Sequence, residues 1–190
     1  MAEVFEVLAQ DHAEVRQMLA ELEAGKTASS GASSNDLSMR KKMMEHLVIE
    51  ESKHEALEEM YFWPAVREKL PGGDTLADTA IGQEQEGKEV LDELDKLDAG
   101  DAGFEKLVTK FIQVARTHIS YEETRVWPPL RNVLSAGEAS EIGTKIEQGK
   151  KTGPTRPHPH TPPSPGVLKA TGPAAAAADR ARDKATGRGQ

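Results

Sequence analysis

Three histidines and three glutamates stand at positions from which they could bind metal ions together. They are His12, His54, Glu58, Glu84, His118 and Glu122. Imidazole nitrogens and carboxylate oxygens are ligands that iron, manganese and zinc accept in proteins. The chain has no cysteine, which excludes disulfides, thiolate-bound zinc and thiol catalysis. The residue types therefore predict a metal site built from nitrogen and oxygen donors.

The spacing of these residues follows an internal repeat. The segments that align are 11–22 with 83–94, and 54–64 with 118–128. In the first pair His12 falls on Glu84, and in the second both copies read His-x3-Glu-Glu-x3-Trp-Pro. Each half thus consists of a helix with one potential ligand and a helix with a His-x3-Glu motif. Two similar halves related by a pseudo-twofold axis suit a pair of metal ions near that axis.

The six residues also fall on the apolar faces of their predicted helices, where a bundle core should be apolar. Buried carboxylates are too costly to leave without a proton, a cation or a metal. Gly87 and Ala80 flank Glu84, and their small size would leave room around a metal cluster. Two other interpretations stay open: His12 could be an ordinary core histidine, and the repeat could record the duplication of a bundle without metal.

Several neighbouring residues have no assigned role from the sequence. Trp63 and Trp127 are expected to pack near helix ends, and the prolines that follow them to kink or restart the helices. Four more could touch the site or lie at its boundary. They are His46, Glu50, Tyr61 and Tyr121.

Apolar residues spaced three and four apart predict the helices that position the site. The predicted helices cover about 3–24, 36–70, 74–97 and 104–134, with a short fifth helix at 136–148. Asp36 or Ser34 could cap the second helix. Short connections imply antiparallel neighbours, so the predicted fold is all-α, an up-down four-helix bundle with a short extra helix.

Composition divides the chain into a bundle at 1–149 and a tail at 150–190. The tail is rich in Pro, Ala and Gly and is predicted to be disordered. The tail carries eight Lys or Arg and two Asp or Glu, which gives it a charge of +6. Because the whole chain has a net charge of −8, the bundle has a net charge of −14. An acidic bundle disfavours nucleic acid as a partner. No signal-peptide pattern and no run of ~20 apolar residues is present, so a cytoplasmic protein without membrane association is expected.

The chain resembles the hemerythrin HHE cation-binding family over about residues 1–149, and its tail resembles those of actinobacterial members. The matching motifs are Asp11-His12, His54-x3-Glu58, and His118 with Glu122-Glu123. The resemblance implies a non-haem centre of two iron ions joined by an oxo or hydroxo group and two carboxylates. It implies that Glu58 and Glu122 are the bridging ligands and that the three histidines are terminal ligands.

Two features depart from the oxygen-carrying members of this family. Those proteins have His-x3-His on the third helix, where this chain has Glu84 and Lys88, and His-x4-Asp on the fourth, where it has His-x3-Glu. More carboxylate should favour ferric iron, so reduction or binding of O2, H2O2 or NO fits better than reversible oxygen carriage. Peroxidase, catalase or oxidase activity is possible, in a stress response or sensing.

The alternatives are a metal-binding or storage-like module without catalysis, and a metal-free interaction bundle. Manganese or zinc could replace iron in the site. A monomer or a weak homodimer is expected.

Overall fold

The computed structural model describes residues 2–189, and helices make up most of them. The helices are α1 (Val4–Ala24), α2 (Ser34–Leu57), α3 (Trp63–Lys69), α4 (Gly73–Asp95), α5 (Phe104–Tyr121), α6 (Trp127–Val133), α7 (Ala136–Lys150) and α8 (Pro165–Thr186). A 3-10 turn, Ala28–Ser30, lies in the linker between α1 and α2.

Side-chain caps fix where the first helices begin. At α1, Glu3 and Glu6 form a reciprocal capping box, in which each side chain accepts a backbone N–H of the other residue. At α2 the N-cap is Ser33, and Asp36 closes its capping box. The sequence had placed the cap of this helix at Asp36 or Ser34, so the prediction was wrong by three positions or by one.

Two single π-helical turns interrupt the second and fourth helices of the bundle. They cover Glu58–Phe62 and Glu122–Val126, and in each turn the first glutamate carbonyl accepts the N–H of the tryptophan five residues later. The proline after each tryptophan has no N–H and would clash with a carbonyl in a continuous α-helix. The wider turn accommodates it, so the kinks expected at the Trp-Pro motifs are present as π turns. Such turns occur often at functional sites.

The long helices form the predicted four-helix bundle. Helix α1 packs on α2 and α5, and α4 packs on the same two helices, while α3 and α6 continue α2 and α5 beyond the π turns. Helix α7 lies across α1, α2 and the first π turn. Gly143 makes this crossing possible, because a Cβ there would lie 2.6 Å from the backbone oxygen of Ala2. The all-α bundle and its extra helix after the fourth bundle helix are confirmed.

The apolar core is divided in two by a layer of polar side chains. One half contains Phe5, Leu8, Trp63 and Trp127 among others. The other half is built around residues such as Leu19, Leu47, Leu91 and Phe111. His12 lies in α1 between Leu8 of one half and Val15 of the other, so the polar layer crosses the middle of the bundle.

The prediction of a disordered tail was wrong for residues 165–186, which form α8 and pack on the first π turn. Arg156 and Arg188 each form ion pairs with Asp95, at the end of α4, and with Asp183 of α8. Asp183 also accepts a hydrogen bond from the Thr155 hydroxyl. Composition suggested disorder because the tail has few large apolar residues, whereas partly buried ion pairs hold it in place. The division of the chain at residue 149 stays a prediction.

None of the helices within residues 2–189 has the length and hydropathy required to cross a membrane.

Candidate metal centre

The six residues predicted to bind metal converge in the polar layer of the bundle. Each is buried, with at most 6% of its surface exposed. His12 comes from α1, His54 from α2, Glu84 from α4 and His118 from α5. The two remaining glutamates open the π turns. All four long helices therefore contribute to one cluster.

The two π-turn glutamates lie between the three imidazoles. Glu58 Oε2 is 3.3 Å from His54 Nε2 and 3.9 Å from His118 Nε2. Glu122 Oε2 is 3.2 Å from His12 Nε2, and its Oε1 is 3.3 Å from His118 Nε2. Both carboxylates thus face histidines from two different helices, which is the placement that a bridging ligand needs.

The potential ligand atoms form two overlapping groups of four. His12, His54, Glu58 and Glu122 form the first group, and Glu84 and His118 replace the two histidines of the first group in the second. Within each group the ligand atoms lie within 4.8 Å of one another. Two groups that share two carboxylates have the arrangement of a dinuclear site.

Most of the inward-facing atoms of this cluster lack a hydrogen-bond partner among residues 2–189. They are Nε2 of His12 and His118, both carboxylate oxygens of Glu58 and Glu122, and Oε2 of Glu84. Buried polar groups are normally paired, and an unpaired one costs about 1–3 kcal/mol. The unpaired atoms all face one shared volume and are lone-pair donors, so the residues present fit a pair of cations.

The outward nitrogens of His54 and His118 are oriented by equivalent residues of the two repeats. His54 Nδ1 lies 3.3 Å from Asp11 Oδ2, and His118 Nδ1 lies 3.3 Å from the Gln83 side-chain oxygen. An acceptor at Nδ1 requires this nitrogen to carry the hydrogen, which directs Nε2 to the cluster. Asp11 is itself paired with Lys150 of α7.

A second pair of equivalent contacts surrounds the site. His12 Nδ1 lies 3.0 Å from Glu123 Oε1, and Arg16 donates to both oxygens of Glu123. In the other half Lys88 is paired with Glu59. Glu123, which the sequence offered as a ligand at a longer spacing, therefore points away from the cluster and supports His12.

The two tryptophans of the repeat contact the site, although the sequence assigned them only to packing. Trp63 Nε1 donates a hydrogen bond of 2.5 Å to Glu84 Oε1. Trp127 stacks on the His12 ring with centroids 5.0 Å apart and an angle of 13° between the planes. His12 and Glu84 occupy equivalent positions of the repeat and are the one pair of ligands that differ in type. Trp127 holds His12 in place, and Trp63 holds Glu84.

Electrostatics within the cluster of side chains favours protons on several of these groups. Burial alone would lower the pKa of His54, but Glu58 and Asp11 outweigh it and raise that pKa well above its usual range. The pKa of His118 is raised in the same way, chiefly by Glu122 against the effect of burial. Burial raises the pKa of Glu84 well above its ordinary value despite the nearby Lys88.

Glu122 is the exception. Its burial opposes ionisation, but the nearby imidazoles of His118 and His12 lower its pKa. The protons on His54, His118 and Glu84, whose pKa values are raised, thus occupy ligand atoms to which metal ions would bind.

Two buried glutamates of α2, Glu51 and Glu55, were missed by the sequence interpretation. Burial raises the pKa of Glu55 to about 8 against the opposing charge of Lys88, and it also raises the pKa of Glu51. The space left by Gly87 is occupied by the Glu55 carboxyl, since a Cβ there would lie 3.2 Å from Glu55 Oε1. Glu51, Glu55 and Glu58 are spaced at i, i+4 and i+7, which places all three on one face of a helix. This spacing could have predicted from the sequence that Glu51 and Glu55 point inward.

The residues left open from the sequence lie outside the cluster. His46 is 64% exposed, and Glu50 pairs with Lys53. The Tyr121 hydroxyl donates to the Leu76 carbonyl, and the Tyr61 ring lies beneath the Lys169 ammonium.

Comparison with known proteins identifies relatives of the whole bundle. Residues 3–130 match the family model described as the hemerythrin HHE cation binding domain. An uncharacterized hemerythrin-like protein of Schizosaccharomyces pombe is 28% identical over 152 residues, covering 80% of this chain and 75% of that protein. The crystal structure of a hemerythrin HHE cation binding domain-containing protein from Mycobacterium kansasii superposes with a TM-score of 0.64 at 21% identity. This alignment covers 80% of this chain and 89% of the other.

Proposed function

Because the chain belongs to the hemerythrin HHE cation-binding family, we propose that its cluster binds two iron ions and that the protein binds or reduces a small oxidant. The oxidant would be O2, H2O2 or NO. The observation that carries the proposal is the set of unpaired ligand atoms, arranged as two groups of four with Glu58 and Glu122 in common. We further propose a cytoplasmic role in the response to oxidative or nitrosative stress.

The donor set supports iron and oxidant reduction. Three imidazoles and three carboxylates offer a harder, more anionic environment than that of the oxygen carriers, which have His-x3-His where this chain has Glu84 and Lys88. Hard ligands favour the ferric state. Iron bound here would supply the electrons and the Lewis acidity for reaction with the oxidant. A centre that favours ferric iron is poorly suited to reversible oxygen carriage.

The surrounding residues would keep the ligands fixed and dry. Asp11, Gln83 and Glu123 hold the hydrogen of each imidazole on the outer nitrogen, so that every Nε2 presents a lone pair inward. Trp63 and Trp127 close the cluster towards one half of the core, where both are buried. Water is thereby limited to paths through the polar layer.

The burial of Glu84 argues against a bundle without metal. In such a bundle this residue would be expected to be exposed or salt-bridged. Instead it is 1% exposed, it accepts one hydrogen bond from Trp63, and its Oε2 has no partner in the described part of the chain.

The first test is metal content after expression in iron-supplemented cells. We expect two iron ions per chain and near-ultraviolet absorption that His54→Ala and Glu122→Ala both abolish. His46→Ala is the matched control, because His46 is an exposed histidine of the same helix as His54. Peroxide and nitric oxide consumption by the loaded protein would then distinguish a reactive centre from a storage-like module, which takes up metal without turnover. A protein that stays metal-free after anaerobic loading with Fe(II) would refute the proposal.

A further inference from the structure

A cavity of about 480 Å³ lies between the tail and the bundle, beside the polar layer. Its bundle wall includes Leu57, Met60 and Tyr61, and its outer wall includes Leu168 and Ala175 of α8. Native interiors contain few voids larger than a water molecule, whereas ligand pockets measure roughly 300–1,000 Å³. The volume is therefore that of a ligand site rather than of a packing defect.

The inner end of the cavity reaches residues that adjoin the metal cluster. Glu55, Glu59 and Lys88 line it there, and they follow His54, Glu58 and Glu84 at one to four positions. A molecule in the cavity would thus contact residues that neighbour three of the cluster ligands along their helices.

Some polar side chains of the cavity wall already have ion-pair or hydrogen-bond partners, and one does not. The cationic groups already have partners. Lys88 pairs with Glu59, and Arg156 pairs with Asp95. Arg180 donates to backbone carbonyls, and the Lys169 ammonium lies over one face of the Tyr61 ring. Glu55 is 3% exposed, and its Oε2 accepts no hydrogen bond from any residue in the range 2–189. The unmet need in this cavity is therefore a hydrogen-bonding group, such as a hydroxyl, beside the Glu55 carboxyl.

Much of the rest of the lining is apolar, with the side chains of Ser52, Thr152, Thr161 and Thr171 among it. The Tyr61 ring and the rings of Pro154, Pro157 and Pro173 all face the cavity. Flat faces pack well on aromatic rings. A ligand with an aromatic body and a hydroxyl donor satisfies both the walls and Glu55.

We propose that this cavity binds a phenol or hydroquinone of one or two rings, with its hydroxyl directed to Glu55, and that a hydroquinone bound there is the reductant for the centre. The second part rests on the function proposed above. In the overall reaction both O–H bonds of the hydroquinone break and it becomes a quinone. Its two electrons and two protons pass to H2O2, whose O–O bond breaks to give two waters.

Binding is tested by equilibrium dialysis of 1-naphthol against the iron-loaded full chain. Ala175→Trp fills the cavity from α8, and Ala174→Trp is the matched control, because Ala174 is exposed and does not line the cavity. We expect about tenfold weaker binding for Ala175→Trp and wild-type binding for Ala174→Trp. Ala175→Leu, a smaller change, should fall between them. Equal binding by both tryptophan variants, with wild-type iron content and melting temperature, would overturn the proposed site.

The contact with Glu55 is tested by a pair of replacements. Glu55→Gln keeps an acceptor oxygen and should retain 1-naphthol binding, whereas Glu55→Met removes it and should weaken binding. Equal affinities for the two variants would contradict the assigned orientation.

The electron-donor role is tested by steady-state consumption of H2O2 with hydroquinone or with ascorbate, which is too polar for the cavity. Hydroquinone should show a saturable KM that Ala175→Trp raises, with no change in ascorbate-supported turnover. Cyclohexane-1,4-diol, which cannot donate electrons, should support no turnover. Turnover with ascorbate but not with hydroquinone refutes the donor role alone, whereas absence of turnover with every reductant refutes the function on which it rests.

Discussion

Removal of the bound metal is expected to destabilise the protein more at alkaline than at acidic pH. Without metal, the folded state holds protons on His54, His118 and Glu84, whose pKa values are raised. In the unfolded chain these groups have their ordinary pKa values, 6.5 for histidine and 4.5 for glutamate, and lose their protons when the pH rises above those values. The stability that such groups contribute is complete below the unfolded pKa and is lost as the pH rises towards the folded pKa. Bound cations replace these protons, so the loaded protein should not show this loss.

The size of the effect follows from the number of retained protons. Each proton held by the folded but not the unfolded state changes the free energy of unfolding by about 1.4 kcal/mol per pH unit. If one of the three groups keeps its proton in the folded state, the free energy of unfolding falls by this amount per pH unit above pH 6.5. If His54, His118 and Glu84 all keep theirs, the fall reaches about 4 kcal/mol per pH unit. Glu122 adds no slope there because its lowered pKa keeps it ionised in both states. For a chain of this size, one proton corresponds to roughly 3–6 °C in Tm per pH unit.

The assay is thermal unfolding followed by circular dichroism, at about pH 6, 7 and 8, with and without prior chelation. The gap in Tm between loaded and chelated protein should widen with pH. The variant Glu122→Ala, which lacks a shared ligand, should melt at the same temperature with and without the chelator. A gap that is constant or narrows from pH 6 to 8 would refute the assignment of the protons to the metal positions.

Three further outcomes are expected. Gly143→Ala should lower the free energy of unfolding by about 1–3 kcal/mol, because the added Cβ would lie 2.6 Å from a backbone oxygen. Gly137→Ala in the same helix is the control and should raise it slightly, because the added Cβ meets no close neighbour. Chemical denaturation measures both changes. Asp95→Ala removes a partner that Arg156 and Arg188 of the tail share, so limited trypsin digestion should cut the tail faster while the bundle survives. Iron loading should quench fluorescence of both Trp63 and Trp127, since each contacts a cluster residue, and unchanged emission on loading would contradict that geometry.

The ligand cluster could be predicted from the sequence because its signal is local and repeated. His-x3-Glu places two side chains on one face of a helix, and the second copy at His118 excludes coincidence. The alignment of His12 with Glu84 identified the two remaining positions, and the structure brings all six together. Whether they bind metal stays a prediction.

The contacts around the cluster could not be read in the same way, because they join distant parts of the chain. Nothing in a single helix indicates that Gln83 faces His118 or that Trp63 reaches Glu84. The tail shows the limit most clearly, since its composition predicts disorder. The tail is held by ion pairs of Arg156 and Arg188 with Asp95, a residue 61 positions before Arg156.

The two halves of the repeat are unequal at a single ligand, and this inequality sets an order of filling. One metal position has two imidazoles besides the shared carboxylates, and the other has one imidazole and Glu84. The first should favour a borderline divalent ion, and the second a harder or trivalent ion. A metal titration should therefore show two separate steps with a singly loaded intermediate. The same inequality would allow two different elements to occupy one protein, each in the position that suits it.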